Sequence, residues 1–365
     1  MTLKAQCGIA FPRIADFIDV IVDALDAHDM RVERQAQGFV AVSPFGTARL
    51  TPGDERLDLV IEAVDGINLN RVRYSLTGLI QFNAKSERLA IEWTGDTAGD
   101  TLPPDLRILT VREVFDVTPR MRRVSFAGED LFRFASPHQL HARLLFQPRG
   151  TFAPEWPRLD DRGSIVWPGG RQRIGSRVYT IRSVDAGAGV LAIDFVLHES
   201  TSGPGIEWVR SARHGDVVGI LGPAAHGPKP ADHHLLVGDE TGLPGIARIL
   251  ETLPEAAVGA ALIEVNDPGE RQSLAGPPGV AVHWLYRDGS PAGTARLLEH
   301  AVEAMPPLAT DSFVWVGCEF HAFRAIRAIL KARGFPASRQ VCFPHWRRGM
   351  SEEDIVDVGG AAVAG

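Results

Sequence analysis

Cysteine is scarce. Cys7, Cys318 and Cys342 are the three in a chain of 365 residues. Three scattered thiols exclude a disulfide framework and a four-cysteine zinc site. By themselves they cannot hold an iron–sulfur cluster through four thiolates. Reduced thiols in a cytoplasmic protein are the plain expectation. A basic excess is also missing. Lys and Arg number 38 against 45 Asp and Glu, for a formal net charge of -7, which argues against a nonspecific nucleic-acid binder. No apolar run approaches the roughly 20 residues that span a bilayer. The opening MTLKAQCGIAFPRIADF lacks the apolar core of a secretion signal. What is present is ordinary globular composition, 45% hydrophobic and 23% charged, in a chain long enough for two or three domains of about 100–200 residues each.

The pattern along the chain changes twice. Residues 94–107, TGDTAGDTLPPDLR, are rich in Thr, Gly, Asp and Pro and have no apolar periodicity, which marks a linker. Before it, Ile14, Phe17, Ile18, Ile21, Val22 and Leu25 recur at helical spacing, as do Ile67, Leu69, Val72, Leu76, Leu79 and Ile80. Strand-like runs lie at 38–42, 48–50 and 57–63, and Leu89, Ile91 and Trp93 alternate as a strand does. This predicts a small α+β domain over 1–95, followed by a linker over 96–106. Asp16, Asp19 and Asp23 share a helix as a solvated acidic face. From 107 to 230, short Val/Ile/Phe/Leu runs alternate with Gly/Pro turns, as in an antiparallel barrel. From 231 to 350, apolar strands interleave with amphipathic helices, as in a parallel α/β sheet with crossovers. Residues 351–365 form a tail, and GGAAVAG has no anchoring side chain.

A barrel followed by a parallel α/β domain suits a flavin, and one strand carries the residues for it. In Arg177-Val-Tyr179-Thr180-Ile-Arg182, the arginine can pair with a diphosphate through its planar fork. Tyr179, two residues on, shares its strand face and can stack on an isoalloxazine. The Thr180 hydroxyl can bond a ring edge. An ordinary barrel strand remains the alternative. The run FVLHESTSGPGIEW leads from a strand into a helix. There His198, Thr201, Ser202, Gly203 and Gly205 supply hydroxyls and unobstructed amides for a phosphate, or a plain capping turn. Val237-Gly238-Asp239-Glu240-Thr241-Gly242 ends the first α/β strand without a G-x-G-x-x-G fingerprint. It still lies where open α/β sheets bind ligands. Trp315-Val316-Gly317-Cys318-Glu319 ends a later strand in the same way, with Cys318 read as a small apolar residue. After the last strand, Pro344-His345-Trp346-Arg347-Arg348-Gly349 joins an aromatic to two cations.

Together these elements resemble the siderophore-interacting protein family, the FAD-dependent ferric-siderophore reductases, over about residues 105–350. The carrying segments are LHARLLFQP, RVYTIR, DFVLH with GPGIEW, GDETGLPGIARILETLP, WLYRDG, WVGCE and PHWRRG. The first 95 residues resemble a small bacterial domain of unknown function (DUF2218-like). The resemblance implies a ferredoxin-reductase-like fold with Arg177 on the FAD phosphates, Tyr179 on the ring and Thr180 near the ring nitrogen. Ile181, Val196 and His198 belong to the same flavin strands. The family's phosphate turn carries a Ser where Gly205-Ile206 stand here, which leaves Thr201, Ser202 or the amides of Gly203 and Gly205 for that contact. Asp239, Glu240, Thr241 and Glu319 match the loops lining a nicotinamide crevice, and Trp346 an aromatic near the flavin. Arg143, Arg287 and Arg182 match or neighbour a basic pocket for an anionic ferric siderophore, drawn there by charge. The implied donor is NADPH or NADH, with a ferredoxin-like protein as another source of electrons. Two other readings stand beside the reductase: a general NAD(P)H-dependent flavin or ferric-chelate reductase, and a non-enzymatic siderophore-binding module.

Overall fold

A computed structural model describes residues 2–27, 30–96, 102–103, 105–148, 150, 153–160, 165–197, 203–224, 227–309 and 311–358. The chain divides into two compact units. The first contains β1 (Leu3–Ala10), α1 (Ile14–Ala27), β2 (Arg31–Gln35), β3 (Gly38–Ser43), β4 (Gly46–Pro52), β5 (Arg56–Ala63), α2 (Gly66–Asn83) and β6 (Thr94–Gly95). The strands pair in the order β2-β3-β4-β5-β1-β6. Alternate residues face the helices: Ala5, Cys7 and Ile9 on β1, and Leu57, Leu59, Ile61 and Ala63 on β5. They pack with Ile21, Leu25, Leu69, Val72, Leu76 and Ile80 from the helical periodicity. Asp65 starts α2 by accepting the Asn68 amide at 2.8 Å. Asp16 and Asp19 are exposed and meet Arg13 and Arg34.

Two details differ from the sequence reading. Leu89, Ile91 and Trp93 form no strand; only Thr94–Gly95 pairs, with β1. The three side chains pack on the helical core instead, and the Trp93 indole donates to Thr77 Oγ1 at 2.9 Å on α2. Their alternation reflects a covered face, and among the described residues no strand pairs with it. Conversely, β1 and β2 lie outside the predicted strand runs, although β1 alternates Leu3, Ala5, Cys7 and Ile9 with Lys4, Gln6 and Gly8.

The second unit begins with β7 (Leu106–Thr118), β8 (Met121–Ala127) and β9 (His141–Phe146). The segment Pro148–Ile174, with the short pair β10 (Arg158–Leu159) and β11 (Ile165–Val166), groups with the first unit. The barrel resumes with β12 (Gly175–Asp185), β13 (Val190–Val196), α3 (Pro204–Val209) and β14 (Val217–Ala224), and closes in the order β12-β13-β8-β7-β14-β9. Val124, Phe126, Ile181, Ile193, Phe195, Val218 and Ile220 fill it.

The sheet that follows has β15 (His233–Gly238), α4 (Leu243–Thr252), β16 (Val258–Val265), β17 (Gly279–Tyr286), α5 (Leu297–Ala304), β18 (Phe313–Glu319), α6 (Phe320–Ala332) and β19 (Gln340–Trp346). Its order is β17-β16-β15-β18-β19, all parallel. All seven residues of β18 are buried, as a central strand covered on both faces requires. Phe313 and Trp315 pack on one face with α4; Val314, Val316 and Cys318 pack on the other with α5 and α6. The chain continues into α7 (Glu352–Val358), so the tail opens with a helix, and it groups with the first unit. Residues 359–365 lie outside the described ones.

Two buried side chains lock the barrel to the sheet. Arg248 on α4 donates through Nη2 to the carbonyls of Phe134 at 2.7 Å and Ser136 at 2.9 Å, and through Nη1 to that of Ile181 at 3.3 Å. Glu270 accepts the Thr118 hydroxyl at 2.5 Å and the Arg120 amide at 3.3 Å. The relative placement of barrel and sheet is therefore set by directional bonds as well as by apolar packing.

Candidate functional site

The flavin-type strand is β12. Tyr179 lies half-buried, its ring 4.5 Å from that of Phe195 and 6.3 Å from that of Phe146. At the turn into α3, a Cβ on Gly205 would sit 2.0 Å from the Tyr179 hydroxyl, so only glycine lets the phenol lie there. A Cβ on Gly203 would come within 3.7 Å of Arg177 Nη2. The strand arginine and the glycine turn thus meet, as an anion held by both would need. Thr180 is buried and pairs across the strand with His141. On its far side a Cβ at Gly245 of α4 would approach the Thr180 methyl at 3.6 Å. An arginine at a glycine turn, an aromatic two residues on and a hydroxyl beside it form a donor set suited to a flavin dinucleotide.

Other expected contacts fall elsewhere. His198, Thr201 and Ser202 lie outside the described residues. Ile181 belongs to the barrel core with no exposed surface. Its amide donates to Leu140 and its carbonyl accepts from Arg248, so both its side chain and its backbone are already engaged. Val196 ends β13, partly buried against the α4 core.

At the carboxyl edge of the sheet, Asp239 is a hub. Its Oδ1 accepts the Thr241 amide at 2.9 Å and hydroxyl at 2.5 Å. Its Oδ2 accepts the Glu319 amide at 3.0 Å and Trp346 Nε1 at 2.7 Å. Burial raises its pKa against the hydrogen bonds from Thr241, Trp346 and the Gly242 backbone. Glu319 caps α6 by accepting the His321 amide at 2.5 Å, and it also accepts the Arg348 amide at 3.1 Å. Asp239, Thr241, Glu319 and Trp346 are therefore brought together, as a network that stitches the ends of β15, β18 and β19.

The three arginines of the expected basic pocket are placed as follows. Arg287 is buried, and its guanidinium is bound by Glu240 and, at 3.3 Å, by Glu264. Its charge is matched inside the fold by these two carboxylates. Glu240 is likewise occupied. Arg182 makes a two-point pair with Glu251, at 3.0 and 2.6 Å. Arg143 is half-buried on β9, with Nη1 3.0 Å from Ser176 Oγ. Cys318 is fully buried, and that burial pushes its thiol pKa well above the ordinary value.

Several residues of the site carried no sequence signal. Glu264, at the end of β16, has a pKa pushed up to about 7 by burial and by Asp239, against the pull of Arg287. His345 donates from Nδ1 to Thr241 Oγ1 at 3.2 Å, because that oxygen already donates to Asp239. Its Nε2 is buried without a hydrogen-bond partner. Burial lowers its pKa from 6.5 to about 4. Below pH 6.5 the unfolded chain gains a proton that the folded ring refuses, so stability falls as pH drops towards about 4. His345→Gln is expected to lose less stability than the parent between about pH 7 and pH 5, measured as urea midpoints. Equal losses in the two proteins would contradict the assignment.

The comparisons with known proteins agree with this architecture. The family model described as "Siderophore-interacting FAD-binding domain" matches residues 110–227, and that described as "Siderophore-interacting protein" matches 231–349. The ferric vibriobactin reductase ViuB of Vibrio cholerae serotype O1 is 32% identical over 244 residues, 65% of this chain and 88% of that protein. The chain belongs to the siderophore-interacting protein family. Within it, the NADPH-dependent ferric-chelate reductase of Escherichia coli K12 is 33% identical over 251 residues, 66% of this chain and 94% of that one. The crystal structure of a siderophore utilization protein from T. fusca aligns with a TM-score of 0.58 at 37% identity, over 69% of this chain and 97% of that one. Both family models fall within residues 110–349, the barrel and the parallel sheet. Among the described residues no helix is long and apolar enough to cross a membrane.

Proposed function

We infer that this siderophore-interacting protein is an FAD-dependent ferric-siderophore reductase that draws electrons from a nicotinamide dinucleotide. The observation that carries the reading is the meeting of Arg177 and Tyr179 with the Gly203–Gly205 turn, in a chain related to ferric-chelate reductases. Arg177 and the turn amides would hold the FAD diphosphate, Tyr179 would cover the ring, and Thr180 would bond the ring edge. When bound, FAD supplies the conversion between a two-electron donor and one-electron transfer to Fe(III). The protein's part is orientation. The phenol is fixed by Phe195, Phe146 and Gly205, and Thr180 is clamped between β9 and α4. Arg143, half-buried on β9 beside Ser176, is assigned to the ferric chelate on the strength of the family resemblance that places it in the first barrel segment. Oxygen-donor chelators suit the harder Fe(III), so reduction loosens the metal. A cytoplasmic site of action fits the reduced, unpaired cysteines.

The test is the visible spectrum of the full chain loaded with FAD under anaerobic conditions. A flavin band that bleaches on photoreduction and returns when a ferric siderophore is added is the expected result. A band that a nicotinamide dinucleotide fails to bleach points to a ferredoxin-like donor. A protein that refuses FAD altogether overturns the enzyme reading in favour of a binding module.

A further inference from the structure

A cleft of about 480 Å³ opens at the carboxyl edge of the parallel sheet. The strand order reverses there: the chain moves outward from β15 through β16 to β17, then returns to the other side of β15 as β18. Such a reversal leaves a crevice between helices on opposite faces, where open α/β sheets take their ligands. The lining is acidic, with Asp239, Glu264, Glu299 and Glu319 among it, and Arg296 and Arg348 also line it.

The four carboxylates are not equivalent. Asp239 and Glu319 are taken up by the loop amides and side chains described above. Glu264 shares Arg287 with Glu240. Glu299 on α5 is different. Its side chain is 7% exposed, its nearest cation is Arg296 at 4.0 Å from Oε1, and its Oε2 is buried with no hydrogen-bond partner. A buried acceptor without a donor is costly, and a ligand with donors relieves it. A metal ion does not fit, because no three His, Cys, Asp or Glu side chains converge as a metal site among the described residues. Hydroxyls do fit. Glu264, next to the last residue of β16, lines the same cleft and offers a second carboxylate to a ribose diol. Arg296, with 60% of its side chain exposed, and the exposed Arg348 are cations suited to a diphosphate.

We propose that this cleft binds the adenosine ribose of the dinucleotide donor through Glu299 and Glu264, and so selects NADH over NADPH. A 2′-phosphate on that ribose would set its charge against the Glu299 carboxylate in the cleft lining, with Arg296 and Arg348 taken up by the diphosphate. The inference rests on the nicotinamide-donor reading above and adds the donor's identity.

The test is calorimetry on the FAD-loaded full chain with two ligands that carry no nicotinamide, ADP-ribose and 2′-phospho-ADP-ribose. ADP-ribose is expected to bind about tenfold tighter or more, since like charges brought together cost several-fold to many-fold in affinity. Glu299→Gln keeps an acceptor but removes the charge, and should strengthen the phosphorylated ligand. Glu299→Ala removes the acceptor, and should weaken ADP-ribose until the two ligands bind within a few-fold of each other. Equal or tighter binding of 2′-phospho-ADP-ribose by the parent overturns the proposal, as does failure of both ligands to bind. So does a ratio that neither variant moves. The reductase reading is judged separately in the same preparation, because photoreduced flavin needs no dinucleotide to be reoxidised by a ferric siderophore.

Discussion

Arg248→Met is expected to destabilise the second unit by about 3 kcal/mol or more, since each buried group left unpaired costs about 1–3 kcal/mol. The methionine keeps most of the apolar stem. What it removes is the planar head that reaches the carbonyls of Phe134, Ser136 and Ile181. The Ser136 carbonyl also accepts the Gln139 amide at 3.4 Å, so the loss falls mainly on the carbonyls of Phe134 and Ile181. Burial and the nearby Arg182 lower the Arg248 pKa to about 10, so the group is still charged at neutral pH and its bonds are the stronger, charge-assisted kind. At about 2–4 °C per kcal/mol for a unit of this size, the thermal midpoint should fall by roughly 6–12 °C. Because one of the three carbonyls belongs to Ile181, next to Thr180, the variant should also release FAD more readily than the parent at a temperature where both are folded. A midpoint within about 2 °C of the parent's would show that packing alone holds α4 against the barrel.

Gly205→Ala should cost the protein its flavin while leaving its fold. The added methyl would stand 2.0 Å from the Tyr179 hydroxyl and 3.0 Å from the ring carbon that bears it, closer than side-chain atoms approach. The ring cannot retreat without giving up its contacts with Phe195 and Phe146. The phenol therefore swings away from the position proposed to cover the isoalloxazine. FAD affinity is expected to drop by about 10–100-fold, the equivalent of about 1.4–2.7 kcal/mol. Quenching of flavin fluorescence on titration measures it. Gly78→Ala, on α2 with nothing within 4 Å of the new methyl, is the matched control and should bind FAD as the parent does. An unchanged affinity in Gly205→Ala would remove Tyr179 from the flavin site.

The succession of an α+β region, a barrel and a parallel sheet along the chain was legible from residue patterning because it rests on local chemistry. Ile246, Ile249 and Leu250 are buried on α4 as their spacing demands, and Phe313 to Cys318 read as a strand because both faces are covered. The flavin strand was legible for the same reason: Arg177 and Tyr179 share a face through the two-residue period of any strand. Leu89, Ile91 and Trp93 mark the limit of that logic. Alternation reports a buried face, and whether a neighbouring strand supplies the ladder is settled by residues far away in sequence.

Charge was decided by the tertiary structure alone. Arg287 and Arg182 stand in the sequence as exposed cations near a resembling basic pocket. The fold gives one to Glu240 and Glu264 and the other to Glu251. Arg248 carried no signal, since its partners are carbonyl groups more than sixty residues distant. Glu299 carried none either, because an unpaired oxygen is defined by what fails to reach it. A side chain's shape and apolarity belong to the residue and travel with the sequence. The availability of its charge depends on which opposite charges and dipoles share its low-dielectric surroundings, and only the folded chain brings those within a few ångströms.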